Sequence, residues 1–237
     1  LRWHYPVGVT RALIDQGFLG EVFYIEARLH GNQDTAYYED PVTRWHADLT
    51  DHIYVEWGAH YFDLARWFAG GETPESIFAW GTDKGCEHFK SKMSVSATLR
   101  FGSGACGSLS LNQAARFISV PMSGMTFRVE GTEGTAAGEL DPGMNLSFAS
   151  RARGGIKAAF DWSQRLSKED DPRGYLWTAS IRDGHLWSMV ELINAINEGR
   201  SAVCSGRDNL ETVRCYLAAM RSDGEGRPVS PRQLVAA

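Results

Sequence analysis

The spacing of hydrophobic residues along this chain changes from helical to strand-like and back to helical. Over residues 6–20 apolar side chains recur every three to four positions, which predicts a helix that begins at Pro6 and stops at Gly17. Residues 21–31 then alternate between two sets of side chains, as a strand does. Residues 32–51 are too rich in Asp, Thr and Pro for a regular element, so we expect a long and functional loop there.

A second helix follows the loop and ends at the glycine pair Gly70-Gly71. From about residue 75 to 148 the period is two, and glycine-rich turns separate six short candidate strands. Tight turns between successive strands form hairpins, so this sheet is expected to be largely antiparallel. Residues 150–180 fit no regular element.

Two helices close the chain, and each carries a stripe of apolar residues that we expect to be buried. The stripes comprise Leu186, Met189, Val190, Ile193 and Ile196 in the first helix, and Leu210, Val213, Leu217 and Met220 in the second. This order of elements predicts an α+β fold: one open, largely antiparallel sheet with helices on one face.

Composition and charge exclude several classes of function. The net charge is −5 and the pI is near 5.8, which argues against a nucleic-acid or anionic-membrane surface. No apolar run approaches the roughly 18–20 residues that a membrane span needs. The four cysteines are far apart and form no CxxC pair, so we expect reduced thiols in a cytoplasmic protein.

The most informative polar residues are Glu56, His60 and Asp63 in the second helix. In an α-helix their spacing of four and three places all three on one face. A carboxylate one turn before an imidazole can orient the ring and raise its basicity, which makes an acid/base unit. The alternative is a solvated helix face, but the many aromatic neighbours indicate burial on most sides, and buried carboxylate–imidazole pairs mark functional sites.

Other polar residues are less specific. Arg44, Trp45 and His46 in the long loop fit either a pocket wall, with the indole stacked on a sugar or nicotinamide ring, or an ordinary surface loop. The spacing of His46, His52 and His60 matches no zinc pattern, so we predict no metal site. Residues 102–107 fit GxGxxG, but a strand-like run follows them where a dinucleotide site needs a helix, which favours a hairpin turn.

Four segments taken in order resemble one family. They are PVGVTRALIDQGFLGEVFYIEARLHG, EWGAHYFDLARWFAGGETPESIFA, FGSGACGSLSLN and SGRDNLETVRCYLAAMRSDGEGRPV. They look like successive landmarks of the substrate-binding and oligomerisation domain of the glucose-fructose oxidoreductase / inositol dehydrogenase (Gfo/Idh/MocA) family. The resemblance extends over essentially the whole chain and implies that residues 1–237 form a single such domain.

This resemblance implies an NAD(P)-dependent oxidoreductase that acts on a sugar, polyol or similar hydroxy compound. His60 matches the family's acid/base histidine, and Asp63 matches the acidic residue that commonly follows it. Glu56 stands where the family usually has Asp, so its carboxylate reaches one methylene further. The implied roles are catalytic for His60 and Glu56, and substrate-binding for Asp63, Arg44, Trp45 and His46.

The family also implies an NAD or NADP cofactor and a homodimer or tetramer assembled through the open sheet face. Candidate apolar stripes for that face are Met93, Val95, Ala97 and Leu99 on one strand and Leu109 and Leu111 on the next. The Rossmann half and its Glu-Lys-Pro motif are not in this sequence, which begins at Leu1. Truncation, a partner chain that supplies the cofactor, and a stand-alone domain are three open explanations.

Two rival functions therefore stay open beside the dehydrogenase. The first is a non-redox domain that binds a carbohydrate or serves as a scaffold, or a subunit of a split enzyme. The second is a cofactor-independent lyase or epimerase that uses His60 and Glu56. Retention of an imidazole beside a carboxylate favours chemistry, and the missing dinucleotide fingerprint favours the non-redox domain.

Overall fold

The computed structural model describes residues 1–115, 124–141, 145–152, 154–160 and 181–234. Five α-helices, one π-helix and eight strands lie within these ranges. In chain order the elements are α1 (Tyr5–Asp15), β1 (Val22–His30), α2 (Gln33–Glu39), a first 3-10 turn (Arg44–Asp48), the π-helix (Ile53–Gly58), α3 (Ala59–Phe68), β2 (Ser76–Thr82), β3 (Ser94–Arg100), β4 (Cys106–Asn112), β5 (Gly124–Gly131), β6 (Gly134–Asp141), β7 (Leu146–Ser150), β8 (Ile156–Phe160), α4 (Ile181–Asn197), α5 (Gly206–Glu225) and a second 3-10 turn (Pro231–Gln233).

The chain forms two compact units. The first comprises Leu1–Tyr24 and Thr126–Leu210, and the second comprises Ile25–Met125 and Glu211–Ala237. Strands in the second unit follow the order β2-β3-β4-β1, and those in the first follow β5-β6-β7-β8. The hairpin pairs β2–β3, β3–β4, β6–β7 and β7–β8 are all antiparallel. The predicted α+β class with an open, largely antiparallel sheet is confirmed. The prediction of a single domain over residues 1–237 stays a prediction.

Strict alternation sets the two faces of the sheet in the second unit. The buried face holds the residues that the sequence suggested for assembly, Met93, Val95, Ala97, Leu99, Leu109 and Leu111, all at most 4% exposed. That suggestion is wrong for these residues, because they form the core of their own unit, where α3 packs against β4. The opposite face carries Ser96 and Thr98, and Trp80 is a large exposed exception.

Helix α5 contacts α3 through Thr212, which hydrogen-bonds to Asp63 and Arg66. The buried positions of α5 are Thr212, Cys215, Ala218, Ala219 and Ser222. Ser222 Oγ accepts a hydrogen bond of 3.0 Å from the N–H of Ala79 in β2, so this stripe of small residues also faces the sheet. The predicted stripe of larger residues is wrong for α5, since Leu210 is 56% and Leu217 is 39% exposed.

In the first unit, α4 leaves most of its apolar stripe exposed. Leu186, Met189, Ile193 and Ile196 are all more than half exposed, so the predicted burial of this stripe is wrong. The buried residues are instead Ala195 and Glu191, whose carboxylate accepts two hydrogen bonds from Arg200. Tertiary contacts, not the apolar periodicity, decide which side of this helix is covered.

Several element boundaries differ from those that the sequence suggested. The expected loop 32–51 contains α2 and the first 3-10 turn, whereas β8 lies within the stretch that fitted no element. The remainder of that stretch, 161–180, lies outside the described residues. Gly70 and Gly71 end α3 with positive φ, as predicted. Within the described ranges, no helix is both long and apolar enough to cross a membrane.

Candidate functional site

The site is built at the point where the π-helix runs into α3. Hydrogen bonds in a π-helix span five residues instead of four, and such turns are frequent at functional sites. Gly58 permits this turn, because a Cβ at that position would lie 3.3 Å from the carbonyl oxygen of Ile53. Glu56 lies in the π-helix and His60 in the first turn of α3, so they do not share one continuous α-helical face. The helix was therefore predicted in the right place but with the wrong hydrogen-bonding pattern before Ala59.

Helix α2 lies against the π-helix with two of its side chains. Trp57 donates a short hydrogen bond from its indole Nε1 to Oε1 of Gln33. One turn further along α2, burial raises the pKa of Tyr37, and the nearby carboxylate of Glu56 raises it further. Glu56 itself is half-buried. The composition of residues 32–51 predicts a loop, so neither Gln33 nor Tyr37, which are four residues apart as on a helix face, is among the predicted site residues.

His60 presents its imidazole to solvent. The side chain is exposed, and its ring lies 5.9 Å from the indole of Trp57 at an interplanar angle of 61°. This edge-to-face geometry falls within the range of favourable aromatic pairs. An exposed imidazole in the turn that follows the half-buried Glu56 along the chain is suited to exchanging a proton with a bound ligand.

Asp63 faces α5. Its Oδ1 accepts a hydrogen bond of 3.2 Å from Oγ1 of Thr212. The same hydroxyl accepts a hydrogen bond of 2.9 Å from Nη1 of Arg66, whose side chain is almost completely buried. Asp63 thus takes part in the polar contact that joins α3 to α5, a role that the spacing alone did not indicate.

The first 3-10 turn carries Arg44, Trp45 and His46. Trp45 is 59% exposed and stacks on the His46 ring at 3.8 Å. The Nδ1–H of His46 donates to the carbonyl of Thr43 at 2.7 Å, which holds the imidazole under the indole. Arg44 donates from Nε to the carbonyl of Tyr38 at 2.7 Å and lies 4.8 Å over that ring. The three predicted residues therefore form one exposed aromatic and cationic surface.

Tyr37 connects this surface to the acid/base residues. Its ring lies 5.1 Å from the ring of His46, and its hydroxyl senses the charge of Glu56. The structure thus brings His46, Tyr37 and Glu56 into one neighbourhood of the second unit.

A second imidazole lies beneath this surface. His52 is completely buried, and neither of its ring nitrogens has a hydrogen-bond partner among the described residues. Its ring lies 5.3 Å from that of His46, 6.0 Å from that of Tyr37 and 4.9 Å from that of Phe89. Burial lowers the pKa of His52 to about 4, with a further contribution from His46. His52 is therefore neutral at pH 7.

Oxygen and nitrogen ligand atoms of Asp34, Glu87 and His88 lie within 4.8 Å of one another. None of these three residues is among the predicted site residues. The carboxylate of Asp34 accepts hydrogen bonds from the backbone N–H groups of Glu87, His88 and Phe89 at 2.8, 3.2 and 3.1 Å. These bonds give Asp34 a structural role, namely closing the 87–89 turn against α2.

The GxGxxG segment at residues 102–107 is a hairpin turn, as predicted. It joins β3 to β4, whose antiparallel register pairs Leu99 with Gly107. The N–H of Ser103 donates to the carboxylate of Glu72 at 3.1 Å. An acidic group at the position where a pyrophosphate would lie does not fit a dinucleotide.

A shallow cleft of about 340 Å³ lies in the first unit beside β6 and β7. Its lining includes Thr132, Ser150 and Arg151, and none of the predicted site residues. The guanidinium of Arg151 donates to the carbonyl of Thr132 at 2.8 Å, so it supports the turn between β5 and β6.

A family match covers most of the chain, and solved structures share its fold. Residues 11–230 match the Gfo/Idh/MocA family described as "Oxidoreductase family, C-terminal alpha/beta domain". D-apiose dehydrogenase from Rhizobium rhizogenes is 23% identical over 228 residues, which are 96% of this chain and 61% of that protein.

Solved structures of full oxidoreductases share the fold. An oxidoreductase from Agrobacterium radiobacter in complex with NAD+, L-tartaric acid and magnesium superposes with a TM-score of 0.80 at 21% identity, over 99% of this chain and 64% of that one. Levoglucosan dehydrogenase in complex with NADH and levoglucosan gives 0.79 at 17% identity, over 97% of this chain and 63% of that one. The chain therefore spans less than two thirds of the length of these relatives.

Proposed function

Since this chain belongs to the Gfo/Idh/MocA oxidoreductase family, whose C-terminal alpha/beta domain matches residues 11–230, we propose that it supplies the substrate-binding and acid/base part of an NAD(P)-dependent oxidoreductase. The substrate class is a sugar, polyol or similar hydroxy compound. The observation that carries the proposal is the exposed imidazole of His60 beside the Glu56 π-helix, next to an exposed aromatic surface.

His60 acts as the base in this proposal. Oxidation of a carbinol removes the hydroxyl proton as hydride leaves carbon, and an imidazole in contact with the hydroxyl accepts that proton. The hydride acceptor is a nicotinamide dinucleotide, which supplies the redox chemistry when bound. Glu56 is the second proposed catalytic group, because its half-buried carboxylate lies in the π-helix that leads directly into the first turn of α3, where His60 lies.

Substrate binding is assigned to the 3-10 turn. A sugar ring presents an apolar face that stacks on an indole, and Trp45 offers such a face to solvent. Arg44 and His46 flank the indole and add hydrogen-bond donors for hydroxyl groups. The substrate contact predicted for Asp63 stays a prediction. Its hydrogen bond with Thr212 favours a role in holding α3 on α5.

The dinucleotide site is proposed to lie in the part of the relatives that this chain does not cover, because the hairpin at residues 102–107 does not fit one. Assembly is proposed through the open, serine- and threonine-bearing face of the sheet, with Trp80 as the apolar contact. A sedimentation experiment at micromolar concentration tests assembly, and a species of only 26.3 kDa contradicts it. A cytoplasmic location stays a prediction.

Ligand binding to this chain is the first test of the proposed function. The chain is titrated with hydroxy compounds that span the relatives' ligands (D-apiose, levoglucosan, L-sorbose and L-tartaric acid), and Trp45 fluorescence and the His60 ring resonances are recorded. We expect at least one compound to perturb both signals, and Trp45→Ala to weaken its binding about tenfold or more. Trp80→Ala removes an equally exposed indole and is the matched control.

Turnover is the second test. Protein expressed from the complete reading frame is assayed with NAD+ and NADP+ and the compound that binds. We expect His60→Gln to lower kcat by about 10²–10⁴, the usual worth of a general base. His185→Gln, on exposed α4, controls for the loss of an imidazole and is expected to retain full activity. Binding without turnover would instead identify a carbohydrate-binding domain or a subunit of a split enzyme.

A further inference from the structure

The indole of Trp57 is an aromatic neighbour of the His60 ring, at 5.9 Å between ring centroids. At 61° between planes, the edge of one ring meets the face of the other. Such a contact fixes the direction in which an otherwise exposed side chain points, since the alternative rotamers of His60 lose it. Trp57 is half-buried, so its own orientation must be set by something else.

Gln33 sets it. An indole N–H can only donate a hydrogen bond, so the short contact between Trp57 Nε1 and Gln33 fixes the amide with its oxygen toward the indole. The partner lies 24 residues earlier in the chain, on a different helix. This bond therefore ties the π-helix to α2 and is not a local turn interaction.

Gln33 is held in place by its own backbone. The N–H groups of Gln33 and Asp34 both donate to the carbonyl of Gln113, at 2.9 and 3.1 Å, just beyond the end of β4. The buried carboxylate of Asp34 binds three further N–H groups, at 87–89. The first turn of α2 is thus anchored on both sides, which gives the Gln33 amide a fixed position from which to hold the indole.

Resting on the proposed function, we propose that Gln33 and Trp57 are positioning residues for His60, with Gln33 holding the indole and the indole orienting the imidazole toward the substrate. Neither residue exchanges a proton in this scheme. Helix α2 also carries Tyr37, which lies against His46. The same helix therefore contacts both the indole that orients His60 and the proposed sugar-binding surface.

Nuclear magnetic resonance on the chain itself tests the geometry without any activity. The ring protons of His60 are assigned by comparison with His60→Gln, and their shifts carry the ring current of Trp57. Gln33→Met removes the acceptor, and Trp57→Phe retains a ring but removes the N–H donor. We expect Gln33→Met to displace the His60 resonances in the parent but to cause little further displacement in the Trp57→Phe background, where the N–H donor is already absent. Trp57→Phe displaces them by itself, because it also replaces the ring that produces the shift.

Two further variants sharpen this test. Gln33→Glu retains an acceptor oxygen and is expected to restore the ring-current shift that Gln33→Met loses. Trp80→Phe alters an exposed indole on the sheet face and is expected to leave His60 unchanged. Unaltered His60 resonances in Gln33→Met, or an equal displacement by Gln33→Met in the parent and in the Trp57→Phe background, would overturn the inference.

Kinetics on protein from the complete reading frame separates this inference from the proposed function. We expect Gln33→Met and Trp57→Phe to lower kcat about tenfold with little change in KM, since misplacing a catalytic group by a fraction of an ångström costs rate more than binding. If His60→Gln retains turnover, the proposed function is wrong. If His60→Gln loses turnover and both positioning variants keep full kcat, only the positioning role is wrong.

Discussion

Arg66 and His52 are both buried polar side chains in the same unit, but their surroundings differ. Arg66 is 2% exposed, and its guanidinium donates to Thr212 at 2.9 Å and to the carbonyl of Gly71 at 3.1 Å. His52 is completely buried among rings, and its two nitrogens have no hydrogen-bond partner in the described part of the chain.

The difference separates a region that stabilises the fold from a region that lies beneath the proposed substrate-binding surface. The guanidinium of Arg66 donates two hydrogen bonds, one of them to Thr212 of α5, so it stabilises the scaffold that carries His60. The layer beneath the 3-10 turn leaves a buried imidazole unsatisfied, which costs free energy, and natural proteins retain such costs mainly near functional sites. The His52 ring contacts the rings of His46 and Tyr37, so the unsatisfied imidazole lies directly beneath the proposed substrate-binding surface.

The largest expected effect is that of Arg66→Met, which keeps the aliphatic stem and removes the guanidinium with its two hydrogen bonds. We expect the free energy of unfolding to fall by about 4 kcal/mol, since two buried hydrogen bonds to a charged group are lost. Urea denaturation measures the change. Arg100→Met, at a side chain that is 72% exposed, is the matched control and should lie within about 0.5 kcal/mol of the parent. A loss below about 1 kcal/mol for Arg66→Met would show that the contact is not stabilising.

The contribution of buried His52 is tested by the pH dependence of the free energy of unfolding. The folded pKa of His52, about 4, lies below the unfolded value of 6.5, so the unfolded state binds the proton first as pH falls. The contribution of His52 to the free energy of unfolding is retained above pH 6.5 and is lost as the pH falls toward 4. The expected loss between pH 7.5 and pH 5 is roughly 2 kcal/mol.

His52→Leu is expected to remove this component of the pH dependence, whatever its effect on stability at pH 7. Urea midpoints at pH 7.5 and pH 5 for parent and variant give the comparison. His185→Leu removes a solvent-exposed imidazole and serves as the control, which should keep the parental slope. Identical slopes for the parent and His52→Leu would show that His52 is accessible to protons in the folded state.

The smallest expected effect on stability is that of His60→Ala. His60 is exposed and Ala is the better helix former, so we expect a change within about 0.5 kcal/mol. Together with the expected loss of turnover, this would place the proposed base at a position that serves chemistry and not the fold. A loss above about 2 kcal/mol by urea denaturation would instead assign His60 a structural role.

Much of the fold was predictable because strand alternation is a local signal. The buried and exposed sets along β3 and β4 follow the period of two, and the glycines at residues 102–107 mark the turn between them. The site was predictable in part: the sequence singled out Glu56, His60 and the 3-10 turn, but not Gln33 or Tyr37. These two residues belong to a short helix in a polar segment without an apolar stripe, so no periodic signal was available.

The terminal helices show where local patterns fail. In α4 the apolar stripe is exposed and Glu191 is buried, because Arg200 satisfies its carboxylate from a later turn of the chain. In α5 the buried stripe consists of small residues such as Ala218 and Ala219, whereas Leu210 and Leu217 are exposed. Hydrophobic periodicity identifies a helix, but it does not identify the partner that covers one side of it.

By itself, then, the sequence determined the helices and strands with strong periodicity, the hairpins and the residue types of the site, because these depend on neighbours a few positions apart. Only the tertiary structure decided that Glu56 lies in a π-helix, that Asp63 faces Thr212, and that Gln33 reaches Trp57. Each of these depends on segments 24 or more residues apart or on close packing around Gly58, and such contacts form only when the chain has folded.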